Sequence, residues 1–163
     1  MAYLVDSSAL IQAKNHFYRF SFCPGFWDWI QTQHAGGGIF SVEKIGVELS
    51  DGADELSDWA VSAVPSGFFI APSTQVVTAQ GVVARWVNAQ GGYSASEKAK
   101  FLSKADPWLI AEAIENGHEI ITFEEMVPAN SSKVKIPNVA SNFGVTCVNL
   151  FDALEGSGSI LKL

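Results

Sequence analysis

Three acidic residues stand at the borders of apolar runs, two at the end and one at the start. Asp6 follows Tyr3, Leu4 and Val5 directly, Asp106 opens DPWLIAEA, and Glu124 comes at the end of EIITF. Carboxylates at strand ends are the donors from which open α/β proteins build divalent-cation sites, because ligands bind in the crevice beyond the C-terminal edge of a parallel sheet. Magnesium and manganese take hard oxygen ligands and keep part of their water shell, so a few carboxylates and a substrate phosphate complete the coordination. A carboxylate directly after Val5 is unfavourable unless a cation or hydrogen-bond donors satisfy it. Asp6 can instead close the turn or cap the helix after it, and Asp106 before Pro107 has the arrangement of a helix cap. Capping and coordination are compatible, since a carboxylate offers two oxygens.

Neighbouring acids must be told apart. Successive strand side chains alternate faces, so only one of Glu124 and Glu125 is expected to reach a site. The stretch from Glu43 to Asp58 carries six carboxylates, most of which must form a solvated face. Val47 and Leu49 beside Glu48 put it nearer the core than Glu43. Cys23 and Cys147 are isolated, with no CxxC spacing and no histidine at a zinc-ligand interval, and read as buried, reduced thiols.

The elements that position these groups can be read from periodicity and punctuation. Residues 2–5 are strand-like, and Ser7 or Ser8 can cap a helix running toward Asn15. A loop, HFYRFSF, precedes a helix that begins at Pro24, buries Phe26, Trp27 and Ile30, and stops at Gly36, Gly37 and Gly38. Ser41 is expected to cap a helix through Val42, Ile45 and Leu49 that ends at Gly52, and another helix starts at Asp54. GFFIA reads as a short strand, Thr74 to Ala89 as a helix, and GGYSAS as a mobile loop. A helix from Asp106 to about Gly117 leads into a strand over HEIITF. KVKIPNV reads as a basic extended loop, GVTCVNL as a further strand, and a short helix follows from Phe151. Strands separated by helical segments favour a mainly parallel central sheet flanked by helices, joined by right-handed crossovers.

Composition sets the class. A chain of 163 residues with 48% hydrophobic and 17% charged residues, 11 Phe and 5 Trp, matches one globular domain spanning residues 1–163. No apolar stretch approaches the roughly 20 residues that span a bilayer, and MAYLVDSS lacks a basic leader, so a cytoplasmic protein without membrane contact is expected. A net charge of −7 argues against coating nucleic acid by charge alone. It leaves room for a nuclease, because acidic metal clusters contribute negative charge and a bound cation reverses the local field.

YLVDSSALI, the helix leading to VEL, KADPWLIAEAIENG and EIITFEE resemble, in this order and along nearly the whole chain, the PIN-domain nuclease superfamily. Phe26, Trp27 and Trp29 with the tail KVKIPNVASNFGVTCVNL are similar to a PIN-like bacterial and archaeal subfamily described only as a domain of unknown function. The resemblance implies a three-layer α/β sandwich, magnesium or manganese as cofactor, and cleavage of single-stranded RNA. It carries the first acid onto Asp6, the second onto Glu48, the third onto Asp106 and the fourth onto Glu124, where the wider superfamily usually has Asp. Ser8 looks like the small polar residue supporting the first acid. Many members are toxins of toxin–antitoxin pairs, so a cognate antitoxin and a homodimer are expected partners.

Metal-assisted phosphodiester hydrolysis requires no histidine or serine nucleophile, and His16, His34 and His118 therefore read as surface or turn residues. Lys14, Arg19 and Arg85, with Lys133 and Lys135, are the candidate phosphate contacts, and Phe17, Tyr18 and Tyr93 the candidate stacking surfaces. Two other classes compete. A haloacid-dehalogenase-type phosphohydrolase needs a second Asp two residues after the first, which DSSAL lacks. A non-catalytic PIN-like interaction module would use the aromatic segment from Phe17 to Trp29 to bind a protein.

Overall fold

The computed structural model describes residues 1–161. Five strands, β1 (Tyr3–Val5), β2 (Ile39–Val42), β3 (Phe69–Ile70), β4 (Glu119–Ile121) and β5 (Cys147–Val148), form a sheet of order β3-β2-β1-β4-β5. Every pairing is parallel, with Val5 opposite Ile121 and Ile121 opposite Val148. The apolar runs read as strands for the reason parallel sheets demand: Leu4, Val5, Ile39, Ile120 and Ile121 are buried beneath covering helices. The chain steps outward from β1 through β2 to β3 and then returns to the other side of β1 with β4. That reversal opens a crevice beyond the C-terminal ends of β1 and β4.

The helices complete a three-layer α/β sandwich. They are α1 (Ser7–Gln12), continued by a π-helical turn Ala13–Phe17, α2 (Pro24–Ala35), α3 (Glu43–Ser50), and α4 (Glu55–Asp58) with a second π-helical turn Trp59–Ala63. There follow α5 (Thr74–Ala89), α6 (Ala95–Leu102), α7 (Asp106–Asn116), α8 (Ile136–Asn142) and α9 (Leu150–Gly156). Local chemistry fixes several starts: Asp54, Ser73, Ser94 and Asn149 each accept a hydrogen bond from the backbone amide three residues on. Gly117, at φ 68°, stops α7 in the left-handed conformation that glycine adopts most easily.

Several sequence expectations change. Ser41 does not cap a helix; it lies inside β2, fully buried, and its hydroxyl donates to the Val5 carbonyl at 2.7 Å. KVKIPNV is not wholly extended, because Pro137 occupies the first turn of α8, where its missing N–H costs nothing. GGYSAS is less a loop than a helix start, since Ser94 caps α6. The strand over HEIITF ends at Ile121, although the Thr122 amide still donates to Val148.

The aromatic segment is largely internal. Phe26, Trp27 and Trp29 of α2 are buried, Tyr18 stacks on Phe26 with centroids 4.6 Å apart, and Phe20 stacks on Trp27 at 4.0 Å. Trp27 Nε1 donates to the Tyr18 carbonyl, fastening the loop after the first π-helical turn to α2.

Candidate metal centre and active site

Asp6 leaves β1 with its amide still donating to the Ile121 carbonyl, so the last rung of the β1–β4 ladder fixes its position. Its side chain is buried, and Oδ2 accepts hydrogen bonds from Ser8 Oγ at 2.6 Å and Thr122 Oγ1 at 2.9 Å. Each hydroxyl in turn accepts a backbone amide, Phe123 N–H on Ser8 and Glu124 N–H on Thr122. Burial raises the Asp6 pKa and these hydrogen bonds oppose the rise. Ser8 is thus bonded directly to the Asp6 carboxylate. Thr122 was not anticipated; the register that sets Val5 against Ile121 brings the next residue of each strand together.

Asp106 is not the cap of α7. It is the first residue of the helix, the cap position is Ala105, and the Ala105 amide donates to Glu48 Oε1 at 2.8 Å. Glu48 therefore reaches across from α3 to satisfy the N-terminus of α7. The same arrangement recurs at α8, where the Ile136 amide donates to Glu124 Oε2 at 2.8 Å. Each N-terminus presents unpaired amides and a positive dipole end, which a carboxylate complements. Glu48 and Glu124 are half-buried, whereas Glu43 and Glu125 are exposed, as the sequence pattern indicated.

The carboxylates bear on one another. The Asp106 carboxyl is pushed up to about 8, first by burial, then by the charges of Asp6, Glu124 and Glu48, against a smaller opposing effect of Lys104. Glu124 is also raised, mainly by burial, with the Ile136 amide, Lys135 and Lys100 pulling it down. Among the described residues no three His, Cys, Asp or Glu side chains are gathered closely enough to hold one ion. In this arrangement Glu48 and Glu124 each commit one oxygen to a helix N-terminus, and Asp6 commits one to two hydroxyls. The donor set still fits magnesium or manganese in kind: it is all hard oxygen, both glutamates keep a second oxygen outside those bonds, and Asp106, raised first by burial and then by the three neighbouring acids, is a carboxyl whose ionised form a cation favours.

The remaining candidates lie elsewhere. Lys14 pairs with Asp54 at 2.6 Å, Arg19 Nε donates to the Asn15 carbonyl, and Arg85 is exposed on α5. Lys100, Lys104 and Lys135 instead share a small depression with Asp106 and Glu124. Neither Lys100 nor Lys104 stands out in the sequence, because α6, which carries Lys100 and ends two residues before Lys104, starts within the glycine- and serine-rich stretch GGYSAS. Cys23 and Cys147 are free but only half-buried. The Cys147 thiol is pushed up to about 12 by burial and by Asp6 and Glu124. His34 bonds backbone carbonyls of Ile39 and Ser66, His118 accepts from the Ala2 amide, and His16 is exposed.

The family model for a domain of unknown function (DUF4411) matches residues 3–159. No curated protein and no solved structure matches the chain.

Proposed function

The chain belongs to this family, and we propose that it is a PIN-like, metal-dependent endoribonuclease hydrolysing phosphodiester bonds of single-stranded RNA. The observation that carries the reading is that buried Asp106 lies near enough to Asp6, Glu124 and Glu48 for their charges to add to the effect of burial, at the side of the sheet where the strand order reverses. Asp6, Glu48, Asp106 and Glu124 would hold magnesium or manganese, which when bound supplies an acidified water and polarises a phosphate oxygen.

The chain's own residues prepare that site. Ser8 and Thr122 fix the Asp6 carboxylate in one orientation. Glu48 and Glu124 tie the N-termini of α7 and α8 to the crevice, which holds Asp106 toward the other acids. Asp106, raised to about 8 by burial and the neighbouring acids against the opposing charge of Lys104, keeps a proton at neutral pH in the absence of a cation.

The reading is tested by manganese-dependent cleavage of labelled single-stranded RNA. Wild type is expected to cleave, and Asp6→Asn to lose at least about a hundredfold in rate while remaining folded. Equal rates for the two proteins would refute the assignment. The resemblance extends the proposal to a toxin held by a cognate antitoxin in the cytoplasm, tested by co-purification with the product of a neighbouring small gene. A second reading, a non-catalytic PIN-like interaction module, is favoured by the exposed Phe17, Met126 and Phe151. It prevails if wild type cleaves no RNA with either metal.

A further inference from the structure

Two depressions flank the acids, only the smaller of them lined by lysines, and Glu124 lines both. The smaller, about 100 Å³, carries Lys100, Lys104 and Lys135 together with Glu97, Asp106 and Glu124. Among the described residues the single ion pair is Lys14–Asp54, so these three ammonium groups are not closed off by a carboxylate within 4.0 Å. The notch is of the size of one phosphate group and offers it three cations.

The larger depression, about 690 Å³, holds no lysine or arginine; Phe123, Phe151 and Met126 line it together with Glu125 and Asp152. Phe17 joins this wall from the π-helical turn after α1, with centroids 5.0 Å from Phe151 and 5.7 Å from Phe123. Phe17 is 45% exposed and Phe151 40%. An acidic, aromatic wall repels a phosphate and accepts an uncharged ring, whose edge N–H groups can meet the carboxylates. A nucleotide has these two parts.

We propose that a single RNA strand crosses the acid cluster with one backbone phosphate in the lysine notch and an adjacent unpaired base against Phe17, Phe123 and Phe151. The inference rests on the nuclease reading and deepens it. A base in the larger depression must be unstacked and free of a complement, so a duplex is excluded there. The three lysines supply phosphate contacts that an overall charge of −7 otherwise withholds.

The test is fluorescence anisotropy of a labelled single-stranded oligoribonucleotide in EDTA, and single-turnover cleavage of the same strand in manganese. Combining Lys100→Ala, Lys104→Ala and Lys135→Ala is expected to weaken binding at least tenfold and to flatten the salt dependence by about 0.7 in slope per lost contact. Moving an abasic nucleotide along the strand is expected to find one position that costs wild type about tenfold in affinity. Phe17→Ala, checked for an unchanged unfolding midpoint, is expected to erase that penalty and Phe17→Trp to keep it. Unchanged affinity and salt slope in the lysine variant, or a flat abasic scan, would overturn the inference while wild-type cleavage keeps the nuclease reading. Wild type that neither binds nor cleaves RNA would sink both.

Discussion

Asp106 is a carboxyl whose charge state depends strongly on its surroundings. Its folded pKa of about 8 stands above the ordinary 3.8, so between those values the native chain binds a proton that the unfolded chain has lost. For an acid raised in this way the stabilisation is fully present below the unfolded pKa and is lost as pH rises through the folded one. The metal-free protein should therefore melt at a lower temperature at about pH 8 than at about pH 5, and Asp106→Asn should flatten that decline. A wild-type midpoint that does not fall across this window contradicts the account. Cys147, pushed up to about 12, should alkylate more slowly in the native protein than in urea at about pH 8, measured in a Cys23→Ser background. The four acids were legible as residue types at strand ends or beside apolar neighbours. Thr122 was not, because its partnership with Asp6 depends on a register between residues 116 apart in sequence.

At the scale of elements, two helices are capped from outside themselves. Glu48 on α3 serves α7, and Glu124 beyond β4 serves α8. Glu48→Ala should cost about 1 kcal/mol in urea unfolding, and Glu48→Gln less, because its amide oxygen can still accept from Ala105. Equal losses in the two variants would show that charge, and not the cap, holds that junction. The long helices α2, α5 and α7 were legible from their periodicity and punctuation. β2, α6 and α8 were not, for local reasons. Four residues after a glycine run give little strand signal, Ser41 has the chemistry of a cap but is used as a buried donor to Val5, and Lys-Ile-Pro reads as extended until Pro137 starts a turn.

Across the whole molecule, the strand order reverses where β1 and β4 end side by side, and Asp6 lies at that edge. A parallel sheet was expected from strands separated by helices, and all four pairings are parallel. The order of the strands could not be read from the chain, since it depends on which edge each crossover reaches. With 17 acidic and 10 basic side chains the protein repels RNA over most of its surface. Binding should therefore be weak without a divalent cation and should fall further with salt. The proposal that Asp6, Glu48, Asp106 and Glu124 act as one cation site is tested by calorimetric titration of manganese near pH 7 in buffers of different ionisation enthalpy. Saturable binding with release of about one proton per protein, abolished by Asp6→Asn, is the expected result. No binding, or binding unchanged in Asp6→Asn, would contradict it.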